Sequence, residues 1–195
     1  MQSKHVVISV NPKAGRVSPL KRTEQLRQAL CRMGFQPEIY DDLDQATRRA
    51  NKLFQGGTLR VLVGVGGDGT ASELTNRTVP GVPITLLPSG TANLIAKYLK
   101  LPFNPLKTAE MIATGKLLNL DAAKANNRLF LLMLSVGIDA EVVKKVHSRR
   151  EQKASHPKGS HINYLCICPQ FFKSSVRIAI PQYQFGFMVP PIPKH

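Results

Sequence analysis

Leu59-Arg-Val-Leu-Val63 runs directly into Gly64-Val-Gly66-Gly67-Asp68-Gly69-Thr70, so an apolar strand is predicted to end on a turn dense in glycine. A short helix carrying Glu73 and Asn76 is expected to follow. Glycine has no Cβ, and such a turn lets backbone N–H groups approach a phosphate closely while the helix N-terminus adds its partial positive charge. Gly64, Gly66 and Gly69 also satisfy the G-x-G-x-x-G fingerprint of dinucleotide sites. Position argues against that reading. The fingerprint belongs to the first strand-helix turn, this one follows the third strand, and no acidic residue lies between Glu73 and Glu110 to hold a ribose. Asp68 would repel a bare pyrophosphate. It is expected to orient backbone amides, bind a lysine or face a phosphate through Mg²⁺, the last being preferred; capping its helix is the plainer alternative.

Working outward, His5-Val-Val-Ile-Ser-Val10 is a β-branched run ending in Asn11-Pro12-Lys13-Ala14-Gly15, a second strand-to-turn junction. Leu20, Leu26, Leu30 and Met33 recur at helical spacing up to Gly34. Gln36 to Tyr40 reads as a strand, and Asp44 is expected to cap a helix that stops at Gly56-Gly57. Pro83-Ile-Thr-Leu-Leu87 is a fourth strand, followed by Pro88-Ser-Gly90, a helix over 92–99, and another opened by Asn104-Pro105 and closed by Gly115. Strands alternating with helices predict an α/β fold: a three-layer domain with a mostly parallel sheet over residues 1–120. After Leu120 the alternation stops. Residues 129–136 and 176–180 are strand-like, 147–160 is a polar, basic stretch suited to a mobile loop, and the tail 181–195 has four prolines and no clear periodicity. A smaller β-rich domain, truncated within this chain, is expected over 121–195.

Lys and Arg outnumber Asp and Glu by 27 to 12 among 195 residues, an excess of +15 that points to phosphate-bearing partners. Residues 1–120 hold 16 basic against 8 acidic side chains and residues 121–195 hold 11 against 4, so the second part is the more basic per residue. Cys31, Cys166 and Cys168 lack a second pair at zinc-ligand spacing, and the five histidines are scattered. No signal-peptide run or membrane-spanning length of apolar sequence is present, and a cytoplasmic protein, peripheral at most on a membrane, is expected. No Gly-x₄-Gly-Lys-Ser/Thr loop occurs, which argues against P-loop NTPases.

Leu87-Pro-Ser-Gly-Thr-Ala-Asn-Leu-Ile-Ala96 is a third strand-turn-helix junction, with Ser89, Thr91 and Asn93 near a helix N-terminus. Three polar, glycine-bearing loops, each after a strand, are expected at the carboxyl edge of one sheet, and their convergence implies a ligand. Together with Asn119-Leu-Asp121, Asn127-Arg-Leu-Phe130 and Val136-Gly137, these segments resemble, in order and spacing across roughly residues 5–180, the diacylglycerol kinase catalytic domain. That family includes bacterial lipid kinases and sphingosine kinases, within a superfamily shared with NAD kinases.

The resemblance implies an ATP-dependent lipid kinase that transfers the γ-phosphate to the hydroxyl of a diacylglycerol-like lipid, with ATP and Mg²⁺ in a cleft. Asn11, Lys13 and Gly15 would border the nucleotide. Gly66, Gly67, Asp68, Gly69, Thr70 and Glu73 would form the phosphate loop, with Asp68 as the catalytic, Mg²⁺-associated residue. Ser89, Gly90 and Thr91 would supply a further nucleotide contact, braced by Asn93. The implied partners are ATP and a lipid substrate at an anionic membrane surface, with a homo-oligomer supplying groups in trans left open; nucleic acid is not expected. Leu94 stands where many relatives have Asp, and Asp42 lies near a position where some have Thr. The family's second domain, with its acidic cation site and general base, continues beyond residue 195, and residues 182–195 do not resemble that continuation. A truncated, spliced or degenerate form is therefore expected, with no general base identified; Asp139 reads as a strand-end turn. The alternative is a noncatalytic nucleotide- and membrane-binding remnant, in which Lys144, Lys145, Arg149, Arg150, Lys153 and Lys158 dock on anionic lipid instead of lying on a solvated loop. An NAD kinase ranks lower, because Ser89-Gly-Thr91 stands where an Asn-acidic pair is expected.

Overall fold

The computed structural model of the protein describes residues 3–10, 19–132, 134 and 178–191. Its elements run β1 (His5–Val10), α1 (Pro19–Arg32), β2 (Gln36–Tyr40), α2 (Leu43–Gln55), β3 (Leu59–Gly66), α3 (Asp68–Arg77), β4 (Ile84–Pro88), α4 (Leu94–Tyr98), α5 (Pro105–Thr114), β5 (Lys116–Ala125), β6 (Arg128–Phe130) and β7 (Ile178–Val189). They build one sheet of order β2-β1-β3-β4-β7-β5-β6. The first four strands are mutually parallel, with Ser9 opposite Tyr40 and Gly64 and with Gly66 opposite Pro88.

Helices cover both faces of the parallel half. Val6, Ile8, Val10, Val61, Val63 and Val65 point to the side packed by Leu26, Ala29 and Leu30 of α1 and by Ala109 and Ile112 of α5. Val7, Leu59 and Leu62 point to the other side, against α2, α3 and α4. Burial on both faces explains why these strands are apolar throughout instead of alternating. Each fully buried Leu or Ile contributes about 1.5–3 kcal/mol of transfer free energy, which makes the three-layer stack the main source of stability. Arg60, at the start of β3, donates to the carbonyls of Ile112 and Ala113 and ties the end of α5 to the amino edge of the sheet.

Sequence and structure part company at three places. The cap of α2 is Asp42, whose Oδ1 accepts from the Gln45 N–H at 2.7 Å, and Asp44 sits within the first turn and pairs with Arg77. The helix starts earlier than expected because Leu43 packs on the core. The helix expected over 92–99 is only Leu94–Tyr98, because Asn93 before it takes a left-handed conformation at φ 51°. The strand-like stretch 176–180 does not stop there: β7 begins at Ile178 and runs twelve residues, through the tail that was expected to be irregular, as far as Val189. Phe185, Phe187, Met188 and Val189 are buried where β7 lies between β4 and β5. Pro181 lacks an N–H, and the register with β5 jumps between Ala122↔Tyr183 and Lys124↔Ala179, so the proline falls where the ladder is already interrupted.

Leu120, where the sequence reading divided the chain, lies within β5. By internal contacts, one compact unit comprises Met1–Leu131 with Ile178–His195, and a second comprises Leu132–Arg177. The strand-like stretch expected from residue 129 is β6 as far as Phe130; the basic stretch 147–160, Asp139, Cys166 and Cys168 lie outside the described residues. Cys31 is exposed and unpaired in any disulfide. Among the described residues no helix is long and apolar enough to cross a membrane.

At the edge strand, Arg49 of α2 donates from Nε and Nη2 to the Glu38 carboxylate, both at 2.8 Å, and Tyr40 donates its hydroxyl at 2.9 Å. The Arg49 hydrogen bonds hold the Glu38 carboxyl below its ordinary range, against the opposing effect of partial burial. A depressed folded value means that this stabilisation is complete above the unfolded glutamate value of about 4.3 and is lost as pH falls through the folded one. Glu38→Gln is therefore expected to cost about 1 kcal/mol at pH 7. The difference from the parent should shrink steadily below pH of about 4 in thermal melts. A margin that is constant down to the acid limit would show that the charge of Glu38 is not what matters.

Candidate functional site

The chain passes from β1 through α1 to β2 on one side, then returns through α2 to β3 on the other side of β1. This reversal makes the space between the carboxyl ends of β1 and β3 the topological switch point of the sheet, where open α/β proteins leave a crevice. A cleft of about 280 Å³ lies there, lined by Ser9 and Val10 at the end of β1, Asp41 and Leu43 after β2, and Gly69, Thr70 and Glu73 of α3.

The wall formed by α3 begins where β3 ends. Gly67 is its N-cap and has no side chain to satisfy the first amides, and the helical ladder opens with the Ala71 N–H on the Gly67 carbonyl. The N–H groups of Asp68, Gly69 and Thr70 therefore precede the ladder at a positive helix end. No heavy atom lies within 4 Å of the position a Gly69 Cβ would occupy, so the backbone there stands open. Glu73 lines the same cleft from the next turn. Burial alone would raise its pKa, but hydrogen bonds from Arg128 and Arg77 and their charges bring it below the ordinary value.

The Pro88–Asn93 turn meets the glycine turn backbone to backbone. The Ser89 N–H donates to the Gly66 carbonyl at 2.9 Å, extending the β3–β4 pairing. A Cβ on Gly90 would stand 2.7 Å from the Gly67 Cα, and one on Gly67 would stand 3.0 Å from the Gly90 Cα. Only glycine at both places permits this approach. Asn93, buried, locks the turn: its Oδ1 accepts from the Gly90 N–H at 3.0 Å, and its Nδ2 donates to the Gly90 carbonyl at 2.7 Å. With its side chain so used, Asn93 does not cap α4. Asp68 does so from across the two turns, its Oδ1 accepting from the Ile95 N–H at 2.9 Å.

The structure thus joins two of the three expected loops. Gly66, Gly67, Asp68, Ser89, Gly90 and Asn93 form one hydrogen-bonded and van der Waals unit, Gly69, Thr70 and Glu73 line the cleft, and Thr91 is exposed beside the turn. Asn11, Lys13 and Gly15 lie outside the described residues. The Ser89 hydroxyl oxygen is buried and has no hydrogen-bond partner among the described residues, an orphan that a ligand or water would satisfy. Three residues were missed by sequence reasoning, and a fourth, Asn76, was placed on its helix but given no role. Ser9 and Asp41 line the cleft, each at or just after a strand end. Arg22 of α1, its pKa lowered by burial, donates to the Pro88 carbonyl at 2.7 Å and to the Phe103 carbonyl, and so holds the turn from behind. Asn76 of α3 accepts from the Leu129 N–H at 2.8 Å and donates to the Leu129 carbonyl at 2.9 Å, acting as a one-residue strand partner for β6. None of these carries a motif; a polar residue at a strand end, or on a helix that follows a glycine-bearing turn, is the only sequence signal.

For a magnesium ion the relevant donor is Asp68. Its Oδ2 accepts no hydrogen bond from the described residues, and Mg²⁺ in nucleotide sites is held by one or two carboxylates with phosphate oxygens and water. Among the described residues no group of three or more His, Cys, Asp or Glu side chains gathers to form an all-protein cage. Asp68 fits the sparse kind of site.

The parallel sheet with its crevice at the switch point and interlocked glycine turns defines an open α/β protein with a ligand cleft at the carboxyl edge. The sequence pattern of the diacylglycerol kinase catalytic domain matches residues 5–125, and the chain belongs to that family. It is similar to the diacylglycerol kinase of Staphylococcus carnosus, with 27% identity over 180 residues covering 90% of this chain and 58% of the relative. Likeness to the diacylglycerol kinase of Staphylococcus aureus strain MRSA252 is 25% over 180 residues, covering 90% and 56%. A crystal structure of a diacylglycerol kinase from Bacillus anthracis shares the fold at a TM-score of 0.55 and 24% identity, over 76% of this chain and 54% of that one. The chain thus spans somewhat more than half the length of these relatives.

Proposed function

We propose that the protein is an ATP-dependent lipid kinase that moves the γ-phosphate of ATP to the hydroxyl of a diacylglycerol-like lipid. The observation that carries this reading is the cleft at the β1/β3 switch point with the uncapped N-terminus of α3 as one wall. In this reading the N–H groups of Gly69 and Thr70 receive phosphate oxygens, and Glu73, already neutralised by Arg77 and Arg128, does not repel them. The Ser89 hydroxyl and Thr91 sit on the adjoining turn as further contacts, with Asn93 and Arg22 keeping that turn in place. Asn11, Lys13 and Gly15 would close the nucleotide side. Asp68 would hold Mg²⁺ with its Oδ2, and the bound ion would offset the charge of the phosphates. Phosphoryl transfer asks little covalent chemistry of the protein; pre-aimed amides that meet the developing charge supply most of the catalysis. In this reading residues 1–120 together with β7 hold the nucleotide, and the segment 132–177 belongs to the lipid side.

The test is transfer of labelled γ-phosphate from Mg²⁺-ATP to diacylglycerol and other lipids in mixed micelles, with calorimetric titration of ATP alongside. Labelled lipid, absent with Asp68→Ala, is the expected result. ATP binding without any transfer would favour a noncatalytic nucleotide binder built on the same turns, and loss of both signals in the parent protein would sink the assignment of the cleft.

A further inference from the structure

Residues 74–109 contain no acidic side chain, and the described structure shows where this segment lies. It includes the turn after β4, helix α4 and the start of α5. Three observations put those parts at the carboxyl edge. The Pro88–Asn93 turn packs on the glycine turn there; Arg22, in the first turn of α1, reaches both Pro88 and Phe103; and α5 ends at the amino edge beside Arg60, so its N-terminus at Asn104 lies toward the opposite edge.

This surface has an unusual composition for an exposed one. Leu94, Tyr98, Phe103 and Leu106 are all exposed, Tyr98 by 73%. Leu94 and Tyr98 share one face of α4 at i, i+4 spacing, while Ile95, Ala96 and Leu99 are buried in the core behind them. Lys97, Lys100 and Lys107, all exposed, are interleaved with the four apolar side chains. Scattered surface leucines need no explanation, but large apolar groups interleaved with lysines, with the first carboxylate along the chain being Glu110 one turn past Leu106, match the two properties of an anionic bilayer surface: negative charge outside and an apolar layer just beneath. Protein–protein interfaces are depleted in lysine, which makes a protein partner the poorer match.

We propose that the α4–α5 surface is a membrane-docking face, on which Leu94, Tyr98, Phe103 and Leu106 enter the headgroup layer of an anionic bilayer while Lys97, Lys100 and Lys107 pair with lipid phosphates. The inference rests on the lipid-kinase reading for choosing a bilayer as the partner. The docking face adjoins Thr91 and the phosphate-facing turns, so the carboxyl edge of the sheet is brought to the plane in which a lipid hydroxyl is held.

The experiment is sedimentation of the full chain with vesicles of phosphatidylcholine alone and with phosphatidylglycerol added. A lysine near an anionic surface contributes about fivefold to partitioning, so Lys97→Gln/Lys100→Gln/Lys107→Gln is expected to weaken binding to the anionic vesicles by on the order of a hundredfold. A control with Lys4→Gln/Lys52→Gln/Lys116→Gln, exposed positions toward the amino edge, removes the same charge and is expected to change binding by only a few-fold at physiological salt. The chain has no tryptophan, so Tyr98→Trp provides a single fluorophore whose emission should shift to the blue and be quenched by brominated lipid. Equal losses in the two triple variants, an indole signal that brominated lipid leaves unquenched, or a concentration-dependent dimer that Phe103→Ser abolishes in the absence of vesicle binding would each overturn the proposal. ATP calorimetry on the same proteins keeps the two readings apart: vesicle binding without ATP binding would remove the kinase reading and leave the docking face.

Discussion

Gly90→Ala is expected to lower the melting temperature by about 5–10 °C and to remove ATP binding, whereas Gly69→Ala, two residues from the same contact, should leave stability unchanged or slightly raised. The difference follows from what a Cβ meets. On Gly90 it would lie 2.7 Å from the Cα and 3.3 Å from the N of Gly67, and 2.9 Å from the Asn93 Oδ1. Carbon atoms in contact prefer about 3.5–4.0 Å, so the β3–α3 and β4–α4 turns must move apart by nearly an ångström. Backbone cannot rotate aside as a flexible side chain can. The displacement would also stretch the Asn93–Gly90 pair and the Asp68–Ile95 bond, which hold the two turns together. Overpacking of this kind costs about 1–3 kcal/mol, and the lost hydrogen bonds add to it. Gly69 faces open space at an α-helical position, where alanine is favoured over glycine by about 0.5–1 kcal/mol. If phosphate oxygens approach the amide there, the new methyl group should weaken ATP binding in a protein that melts normally. Thermal melts with calorimetry on both variants decide the matter: a Gly90→Ala protein that melts and binds like the parent would show that the two turns are not interlocked in solution.

How much of this was legible in the sequence depends on whether the signal was local. β1, β3 and β4 announce themselves because strands covered on both faces are apolar without interruption, and each runs in the sequence into a stretch bearing glycine and proline or several glycines. Helix α5 is marked by a capping Asn104, Pro105 at its first position and Gly115 past its end. The start of α2 was not legible to the residue, since Asp41, Asp42 and Asp44 are all competent caps and only the packing of Leu43 selects Asp42. Only the first residues of β7, 178–180, fall in a stretch that reads as a strand; the rest of it was not legible. Pro181 and Gly186 lower its strand propensity, and its place between β4 and β5 is set by pairing with residues about fifty to a hundred positions earlier, which no window of local sequence contains.

The site divides in the same way. The glycine turn, the Ser89–Asn93 turn and the α3 N-terminus could be read as phosphate-facing because each is a contiguous motif at a strand end. That Gly67 and Gly90 touch could not, because the contact is produced by the parallel pairing of β3 with β4 and by the register that sets Gly66 opposite Pro88. Arg22, Asn76 and Asp41 are single polar residues on separate elements. Their roles exist only once α1, α3 and the end of β2 are packed on the sheet.

Asp68 carries two separable duties, and two substitutions are expected to part them. Its Oδ1 caps α4 by accepting from Ile95, a structural task that a neutral amide oxygen performs nearly as well. Asp68→Asn retains that oxygen at the same place and is expected to melt within about 1–2 °C of the parent. It removes the negative charge that the kinase reading assigns to Mg²⁺, and loss of a charged group aimed at the reacting phosphates should lower kcat by about a hundredfold or more. Asp68→Ala removes both. It leaves the Ile95 N–H without its acceptor, in a turn whose own residue Asn93 is committed to Gly90, and should cost a further 1–2 kcal/mol or about 3–8 °C. The measurement is a melt paired with γ-phosphate transfer for each variant. Full transfer activity in Asp68→Asn would make the residue a cap alone and would move the search for the cation-holding group to Asp41, the acid that faces α3 across the cleft; loss of activity with an unchanged melt would place the charge of Asp68 in the chemistry, since its hydrogen bond would still be made.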